Sequence, residues 1–457
     1  MSTVTTRRAH RAPAPPGRLR PPADTVPALA LAAILLGGLI PVALWWDGEL
    51  GVLGLDGWLT NAGRIAGLLA GYAAPVLIVL MSRIPFLERN VGSDRLARWH
   101  AAGGRWMTCL VLVHVLTIVW GYSLTAHQNV VAEGWDVVFH YPDMIKATLG
   151  TLLLFAVGIV SARAARKRVS YEVWYYLHLG TYVAIALTFA HAISNGAELG
   201  DGKGRAFWYL LYFGCAALVA WFRLLRPWLL DRRHRLTLAE VRAEGPGVVS
   251  LFLTGRRLDE LGAEPGQFFR LQFQAPGLRW VSHPYSLSAP PTAHYLRFTV
   301  KDLGDHSAAV AALRPGTKVR AEGPYGAFTA RRRRAREVLL VAAGVGITPL
   351  RALFETIPAG AGELTLLYRA SDAGDLVFRQ ELEQIAAQRG ARLHYLVGRR
   401  SEVGDPLTAE SLSRLVPGLS RHDVYLCGPE RMAEQTVRAL RAAGVPRHRI
   451  HHESFAF

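Results

Sequence analysis

Cysteine is scarce. Three occur in 457 residues, at Cys109, Cys215 and Cys427. None forms a CxxC pair, and two fall inside apolar stretches, so no disulfide framework, zinc site or iron–sulfur cluster is readable. Acidic residues are also few, 35 Asp+Glu against 52 Lys+Arg, for a net charge of +17. So basic a chain brings nucleic acid to mind. Much of the excess, however, lies beside long apolar runs, where basic residues gather on the cytoplasmic side of membrane proteins. No nucleic-acid partner is therefore expected. The segment near 122–143 has no Lys or Arg at all, and no EF-hand loop appears anywhere, which excludes calcium control of that type.

What the chain does have is apolar length. Runs at about 27–46, 58–81, 99–121, 144–162, 172–193 and 206–226 each approach the ~20 residues that cross a bilayer as a helix. The first run is long for a signal-peptide core, so residues 1–26, rich in Arg and Pro, read as a disordered basic tail. Basic residues alternate from side to side. Arg7, Arg8, Arg11, Arg18 and Arg20 precede the first span; Arg83, Arg89, Arg95 and Arg98 follow the second. Residues 163–168 carry four more after the fourth, and Arg232, Arg233 and Arg235 follow the sixth. The opposite loops hold Asp47, Glu49 and Asp56, with only Lys203 and Arg205 against the trend. This pattern places both termini in the cytoplasm and the chain in the plasma membrane, with the lipid bilayer as an obligatory partner.

Four histidines occupy two of these spans: His100 and His114 in the third, His178 and His191 in the fifth. Spans three and five run in the same direction, so His100 and His178 share the inner depth and His114 and His191 the outer one. Neutral imidazole is an axial haem ligand, and intramembrane ionisable groups are functional candidates. The spacing therefore predicts two haems, each clamped by one histidine from each helix. The rise is ~21 Å over one pair and ~19.5 Å over the other. In projection, the third-span pair is about 40° apart and the fifth-span pair about 140°. Span five is therefore expected to need a bulge, a local unwinding or a rotated haem. Arg64 and Arg105 are costly charges in spans two and three. They suit haem propionates or an acceptor, with snorkelling as the alternative. His127 and His140, in the outer loop, are read as solvated.

The second half alternates charged and apolar segments. Short strands from 236 to 330, including a hairpin about Gly245-Pro246-Gly247, predict a small antiparallel β-barrel. From 336, strands alternate with helices, predicting a doubly wound α/β sheet. In the barrel, His283-Pro284-Tyr285-Ser286-Leu287-Ser288 offers a flat ring and hydroxyls for a flavin. Lys301 ends a strand before Gly304-Asp305-His306-Ser307, which can hold a pyrophosphate. In the α/β part, Gly344-Val345-Gly346-Ile347-Thr348-Pro349 ends the first strand and opens a helix, as a nucleotide pyrophosphate requires. Cys427-Gly428-Pro429 ends a later strand on the same edge.

Together these residues resemble the NADPH oxidase and ferric reductase family, over nearly the whole chain after the tail. The resemblance implies a ferric-reductase-type six-helix domain at 27–230, with inner ligands His100/His178 and outer ligands His114/His191. It implies a ferredoxin–NADP reductase module after it: an FAD domain at 231–332 and an NADPH domain at 333–457. The FAD motif of the family is Arg-x-Tyr-Ser/Thr; His283 stands for the Arg here, as in the oxidase branch. The FAD set is then His283, Pro284, Tyr285, Ser286, Ser288, Lys301, Gly304 and Ser307. The NADPH set is Gly344, Gly346, Thr348, Pro349, Arg369, Ser371, Cys427, Gly428 and Pro429. Tyr368-Arg369-Ala370-Ser371 matches the region that grips the 2′-phosphate, while Asp372 beside it leaves NADH open. The terminal His452-Glu453-Ser454-Phe455 resembles the oxidase end whose Phe stacks on flavin, so Phe455 rather than Phe457, with Cys427, is assigned to the catalytic step. One departure stands out. Animal oxidases carry a further His one turn beyond the outer third-span ligand, and Ile118 is there instead.

The expected protein is thus a membrane α-helical bundle of six spans with two haem b groups, followed by an antiparallel β-barrel FAD domain and a doubly wound α/β NAD(P)-binding domain. Its expected activity is electron transfer from cytoplasmic NADPH through FAD and the haems to an extracytoplasmic acceptor, oxygen giving superoxide or a ferric chelate. The alternative is an electron-conduit subunit feeding a dedicated extracytoplasmic protein, docked through Arg64, Lys203 and Arg205.

Overall fold

The computed structural model describes residues 25–48, 52–162, 169, 171–196, 199, 202–399 and 404–454. It forms two compact units, one spanning Pro27–Arg226 and one from Pro227 onward. The expected tail, apart from residues 25 and 26, and the basic stretch 163–168 lie outside the described residues.

The first unit is helical throughout. Its elements are α1 (Thr25–Gly37), α2 (Leu39–Gly48), α3 (Gly54–Leu80), α4 (Pro85–Asn90), α5 (Ser93–Thr125), α6 (Val130–His140), α7 (Met144–Ser161), α8 (Tyr171–Asn195) and α9 (Gly202–Val219). A π-helical turn at Ala220–Leu225 joins α9 to α10 (Arg226–His234). Among the described residues, six helical stretches are long and apolar enough to cross a membrane: Thr25–Asp47, Gly54–Leu80, Ser93–Thr125, Met144–Ser161, Val173–Asn195 and Gly202–His234. All six expected runs are present. Two are longer than the sequence suggests: the third starts at Ser93 and the sixth continues through the π turn to His234.

The outer segment read as a loop contains a helix, α6. Asn129 caps it by accepting from the Val131 and Ala132 amides at 3.1 and 2.9 Å, as N-cap Asn does.

Small residues explain the tight pairing of α3 with α5. Gly63 and Gly67, four residues apart, let the two backbones approach. A Cβ on Gly67 would lie 2.6 Å from Nδ1 of His114, and one on Gly63 would meet Thr117 and Ile118 at 2.7 Å. Pro75 inside α3 has no N–H to return to the carbonyl four residues back. That carbonyl, on Gly71, accepts instead from the Tyr212 hydroxyl of α9 at 2.9 Å. The freed group is satisfied within the bundle, as hydrocarbon demands, and α3 stays unbroken.

The second unit begins with six strands: β1 (Thr237–Gly245), β2 (Val248–Thr254), β3 (Phe268–Phe273), β4 (His283–Ser286), β5 (Leu296–Lys301) and β6 (Val319–Tyr325). The expected single barrel is resolved as two three-stranded antiparallel sheets, β1-β2-β5 and β4-β3-β6. Isolated bridges Thr237↔Lys318 and Leu287↔Phe298 join them. Their inner faces share one core that includes Leu238, Leu251, Phe269, Phe273 and Phe298. Helix α11 (Asp305–Ala311) follows β5.

A five-stranded parallel sheet completes the unit, with order β11-β10-β7-β8-β9. Its strands are β7 (Val338–Ala343), β8 (Leu364–Ala370), β9 (Arg392–Val397), β10 (Asp423–Gly428) and β11 (Ile450–Ser454). The helices are α12 (Ile347–Thr356), α13 (Arg379–Arg389), α14 (Ala409–Leu415) and α15 (Glu430–Ala442). Apolar cores cover both faces, as a doubly wound parallel sheet requires. The direction of travel reverses between β7 and β10.

A buried ion network fastens the two parts of this unit. Arg297 of β5 donates to both carboxylate oxygens of Glu381 on α13, at 2.8 and 3.0 Å. Arg351 of α12 donates to the same carboxylate at 2.8 Å. Burial pushes the Glu381 carboxyl up, but the two guanidiniums outweigh it and hold it below the ordinary carboxylate range. A depressed folded pKa means stability present above the unfolded value near 4.3 and lost as pH falls through the folded one. Glu381→Gln leaves a buried Arg without its counter-charge, a cost of about 2–3 kcal/mol. The melting temperature of the purified chain, followed by tryptophan fluorescence, is expected to fall by about 5 °C at pH 7. The difference from the parent should shrink as pH is lowered below about 4.

Candidate functional site

The histidines meet in the pairs that depth assigns. The rings of His100 and His178 have centroids 5.8 Å apart, and those of His114 and His191 are 6.5 Å apart. Helix α3 packs closely on α5, and α7 on α8, so the histidines bridge α5 to α8. Two imidazoles on opposite sides of one metal, with bonds of ~2 Å, place their centroids about 6–6.5 Å apart. The His114–His191 separation reaches that range, and the His100–His178 separation falls just short of it. Helix α8 runs unbroken from Tyr171 to Asn195, so the expected bulge or unwinding is absent. The ring planes absorb the mismatch, meeting at 71° in one pair and 54° in the other.

A histidine that ligates through Nε2 carries its proton on Nδ1 and needs an acceptor there. On α5 those acceptors are backbone carbonyls of α3: Leu77 O lies 3.0 Å from His100 Nδ1, and Gly63 O lies 2.8 Å from His114 Nδ1. On α8 the neighbours are side chains. His178 Nδ1 lies 3.4 Å from the Ser161 hydroxyl, and Trp174 stacks on the His178 ring at 5.1 Å. His191 Nδ1 lies 3.2 Å from the Asn195 carboxamide nitrogen, a donor that is itself bonded to Pro142 O at 2.7 Å, so this contact gives His191 no acceptor for an Nδ1 proton. Leu77, Gly63, Gly67, Trp174, Ser161 and Asn195 were not singled out from sequence. The four-residue glycine spacing of α3 was the one signal for part of this group.

Arg64 is half-buried, with Nη1 3.4 Å from Asn61 Oδ1, which also accepts from Trp45 Nε1 at 2.9 Å. Arg105 is exposed on α5.

In the second unit, the two candidate flavin segments come together. His283 of β4 and His306 of α11 meet edge to face at 4.0 Å. Pro284 and Tyr285 lie in β4, paired with Arg270 and Phe269 of β3. Tyr285 packs against Phe273, and burial raises its hydroxyl pKa. Ser286 is buried. Gly304, at φ +148°, has open space where a side chain would stand. These groups suit a flat, phosphate-bearing ligand. Two members of the expected set turn inward. Ser288 is fully buried, its hydroxyl held by Arg297 and Thr299 at 3.2 and 2.7 Å. The Ser307 hydroxyl closes its own turn, accepting from Leu303 N and lying 3.1 Å from Asp302 Oδ1.

A cleft lined by Gly245, Val248, Lys301, Gly344, Val345 and Asp375 separates the strands of the first part from the sheet of the second. It brings Lys301 of the flavin set against Gly344 of the nucleotide set. Gly344 has φ +52° and open space at its Cβ position. Gly346 does another job: a Cβ there would lie 2.2 Å from Cys427 O. It permits the turn that opens α12 to lie close on the end of β10 at the reversal point, where such sheets bind ligands. Gly428 is similarly close to Met432 and Ala343, and Pro429 precedes α15. Thr348 and Pro349 are buried in α12, and the Thr348 hydroxyl donates to Val345 O at 3.0 Å. Cys427 is fully buried at this edge.

Arg369 Nη1 donates to Ala370 O and Leu396 O, at the ends of β8 and β9, while Ser371 is exposed beside it. The Asp372 carboxylate turns back to accept from Gly374 N at 2.9 Å. Phe455 lies outside the described residues.

The two glycines make a contrast. Gly346→Ala forces that turn off the end of β10 and is expected to abolish binding of the nicotinamide nucleotide. Gly344→Ala meets no atoms and costs only left-handed strain, about 1–2 kcal/mol. Isothermal titration with NADP+ on both variants checks this; equal losses would contradict the separate roles.

Comparison with known proteins gives two family matches. Residues 66–189 match "Ferric reductase like transmembrane component", and residues 340–438 match "Oxidoreductase NAD-binding domain". The chain is 32% identical over 230 residues to the "3-ketosteroid-9-alpha-monooxygenase, ferredoxin reductase component" of Mycolicibacterium smegmatis, covering 48% of this chain and 65% of that protein. It is 32% identical over 206 residues to a "Flavohemoprotein" of Vibrio cholerae, covering 43% and 52%. The chain thus spans between half and two thirds of these relatives. Among solved structures, the flavohem-like FAD/NAD binding domain of nitric oxide dioxygenase from Vibrio cholerae is 26% identical, with TM-score 0.42, covering 49% of this chain and 99% of that one.

Proposed function

We propose that this chain, which joins a ferric reductase like transmembrane component to an oxidoreductase NAD-binding domain, moves electrons from cytoplasmic NADPH across the membrane to an acceptor outside. The observation that carries the reading is the meeting of four histidines as two pairs between α5 and α8. When bound, FAD converts two-electron to one-electron chemistry, NADPH supplies hydride, and two b-type haems relay single electrons. The chain supplies positions. His100 with His178 and His114 with His191 would ligate the two irons, with Leu77 O and Gly63 O aiming the α5 rings through Nδ1. Arg64 and Arg105 are cations for propionates or for the acceptor.

On the cytoplasmic side, His283, Tyr285 and Lys301 would hold the flavin, and the open turn at Gly304 would take its phosphates. Gly344 and the start of α12 would receive the nucleotide pyrophosphate, because a helix N-terminus favours negative charge. Arg369 and Ser371 are the groups for a 2′-phosphate. Asp372 beside them accepts from Gly374 N and keeps NADH open as the alternative donor. Phe455 and Cys427 keep the catalytic assignment that the family resemblance gives them.

The acceptor is oxygen, giving superoxide, or a ferric chelate. Ile118, where animal oxidases carry a histidine, favours an acceptor other than oxygen held in their manner. A second reading, an electron-conduit subunit serving an extracytoplasmic protein, is favoured only by the outer cations Lys203 and Arg205.

Purified full-length protein is expected to show a b-type Soret band reducible by NADPH, with two haems per chain. His100→Ala should leave one haem, which NADPH no longer reduces. His191→Ala should leave one haem that NADPH still reduces, but acceptor reduction should stop. Haem content by the pyridine haemochrome, with superoxide and ferric reduction measured side by side, decides the matter. A single haem in the parent protein sinks the proposal. Turnover restored only by an added partner protein favours the second reading.

A further inference from the structure

Helix α6 stands between two membrane-spanning helices. It follows α5, which ends at Thr125, and precedes α7, which begins at Met144. Its 11 residues are too few to cross a bilayer, which takes about 20. They are nevertheless mostly apolar, and Val131, Trp135 and Phe139 are 83%, 65% and 51% exposed.

Projected at about 100° per residue, α6 has four faces. Val131, Trp135 and Phe139 recur every four residues and form one of them. Glu133 and Val137, nearly opposite, are buried against the bundle. Asp136 and His140 make the third face and pair with each other at 2.8 Å. Gly134 and Val138 make the fourth, across the helix from that polar pair.

Contacts set these faces on the bundle. A Cβ on Gly134 would lie 3.6 Å from Cγ1 of Val119 on α5. Val119 stands six residues before the end of α5, about 9 Å short of it. The ring of Tyr141, which closes α6, lies 6.1 Å from that of Tyr122, also on α5. Helix α6 therefore lies along the flank of α5, below its end. The Asp136–His140 face, across from Gly134, points past that end toward water. The Val131–Trp135–Phe139 face points away from the bundle. At this level α5 exposes Leu116 and Trp120, and α7 exposes Ile145. In spanning helices such side chains face lipid, and the apolar face of α6 continues their surface.

We propose that α6 is an interfacial helix, lying along the leaflet in which α5 ends. Val131, Trp135 and Phe139 enter the boundary between acyl chains and headgroups, while Asp136 and His140 stay in water. Such helices bury their apolar face about 5–10 Å into that boundary, and tryptophan favours this level. Helix α6 has two carboxylates and no Lys or Arg, so the surface it fits is zwitterionic rather than anionic lipid. Val119 follows the outer ligand candidate His114 by five residues, so α6 and its lipid contact cover the flank of α5 just beyond that pair. The proposal needs a membrane-spanning unit but neither haem nor a particular acceptor.

The test uses the full-length protein in phosphatidylcholine nanodiscs. Cys109→Ser removes the exposed thiol; Cys215 and Cys427 are buried. Trp135→Cys and, in a separate chain, Asp136→Cys are labelled with NBD. These neighbours point about 100° apart on the same helix. Phe139→Cys repeats the apolar position should Trp135→Cys not fold. A nitroxide high on the acyl chain is expected to quench the label at 135 at least about three-fold more than the label at 136. Aqueous iodide is expected to show the reverse order.

Equal quenching of the two labels overturns the proposal, as does a label at 135 that iodide reaches as readily as the one at 136. A label at 135 sheltered from both quenchers overturns it too, since that result assigns the face to a protein partner or a second copy. Haem content of the same samples reports separately on the electron-transfer reading. Absent haem with the quenching contrast intact sinks that reading and leaves the interfacial helix standing.

Discussion

Two helices in the membrane unit are joined across their shared face by imidazole rings. Helices α5 and α8 present His100 to His178 and His114 to His191 at separations at or just short of those of two imidazoles sharing one metal. Holding that spacing is the demand that the rest of the bundle answers. Helix α3 lies tightly on α5 through two glycines four residues apart, and it supplies the carbonyls that fix both α5 imidazoles. Helix α7 packs on α8 and supplies Ser161 to His178. The bundle behaves as two close helix pairs facing one another, with the redox candidates in the seam.

The second unit answers a comparable demand by different means. A nucleotide site at a strand reversal needs the turn after β7 to lie close on the end of β10, and Gly346 is the residue that permits it. The cleft beside Gly344 also needs the antiparallel sheets held at a fixed distance from the parallel one. The carboxylate of Glu381, shared between Arg297 and Arg351, supplies that fastening from within. Its partners are largely buried, so the tie is little screened by salt. Ser288 was read as a flavin contact. It belongs to this fastening instead, since its hydroxyl and carbonyl both hold Arg297.

Much of this was legible in the sequence because it depends on period and length. Apolar runs near twenty residues found all six spans, and strand–helix alternation found the parallel sheet. The histidine pairs followed from depth alone. What escaped depends on which groups meet across space. Helix α6 is mostly apolar but short, so a length criterion passes over it. Of the accommodations expected in span five, a bulge and an unwinding are absent, because α8 is continuous. Backbone carbonyls such as Leu77 O carry no side-chain signature, so no motif could have named them.

That last point separates the two ligand helices. The imidazoles of α5 are aimed by main-chain oxygens, which every residue type provides; substitution at Leu77 would leave the acceptor in place. Those of α8 stand beside the hydroxyl of Ser161 and the carboxamide of Asn195, which a single substitution removes. A hydrogen bond to the distal nitrogen tunes the basicity of an imidazole ligand and, through it, the potential of the iron it binds. The α5 side of each pair is therefore constrained by packing, and the α8 side is where a side-chain substitution changes what stands beside Nδ1.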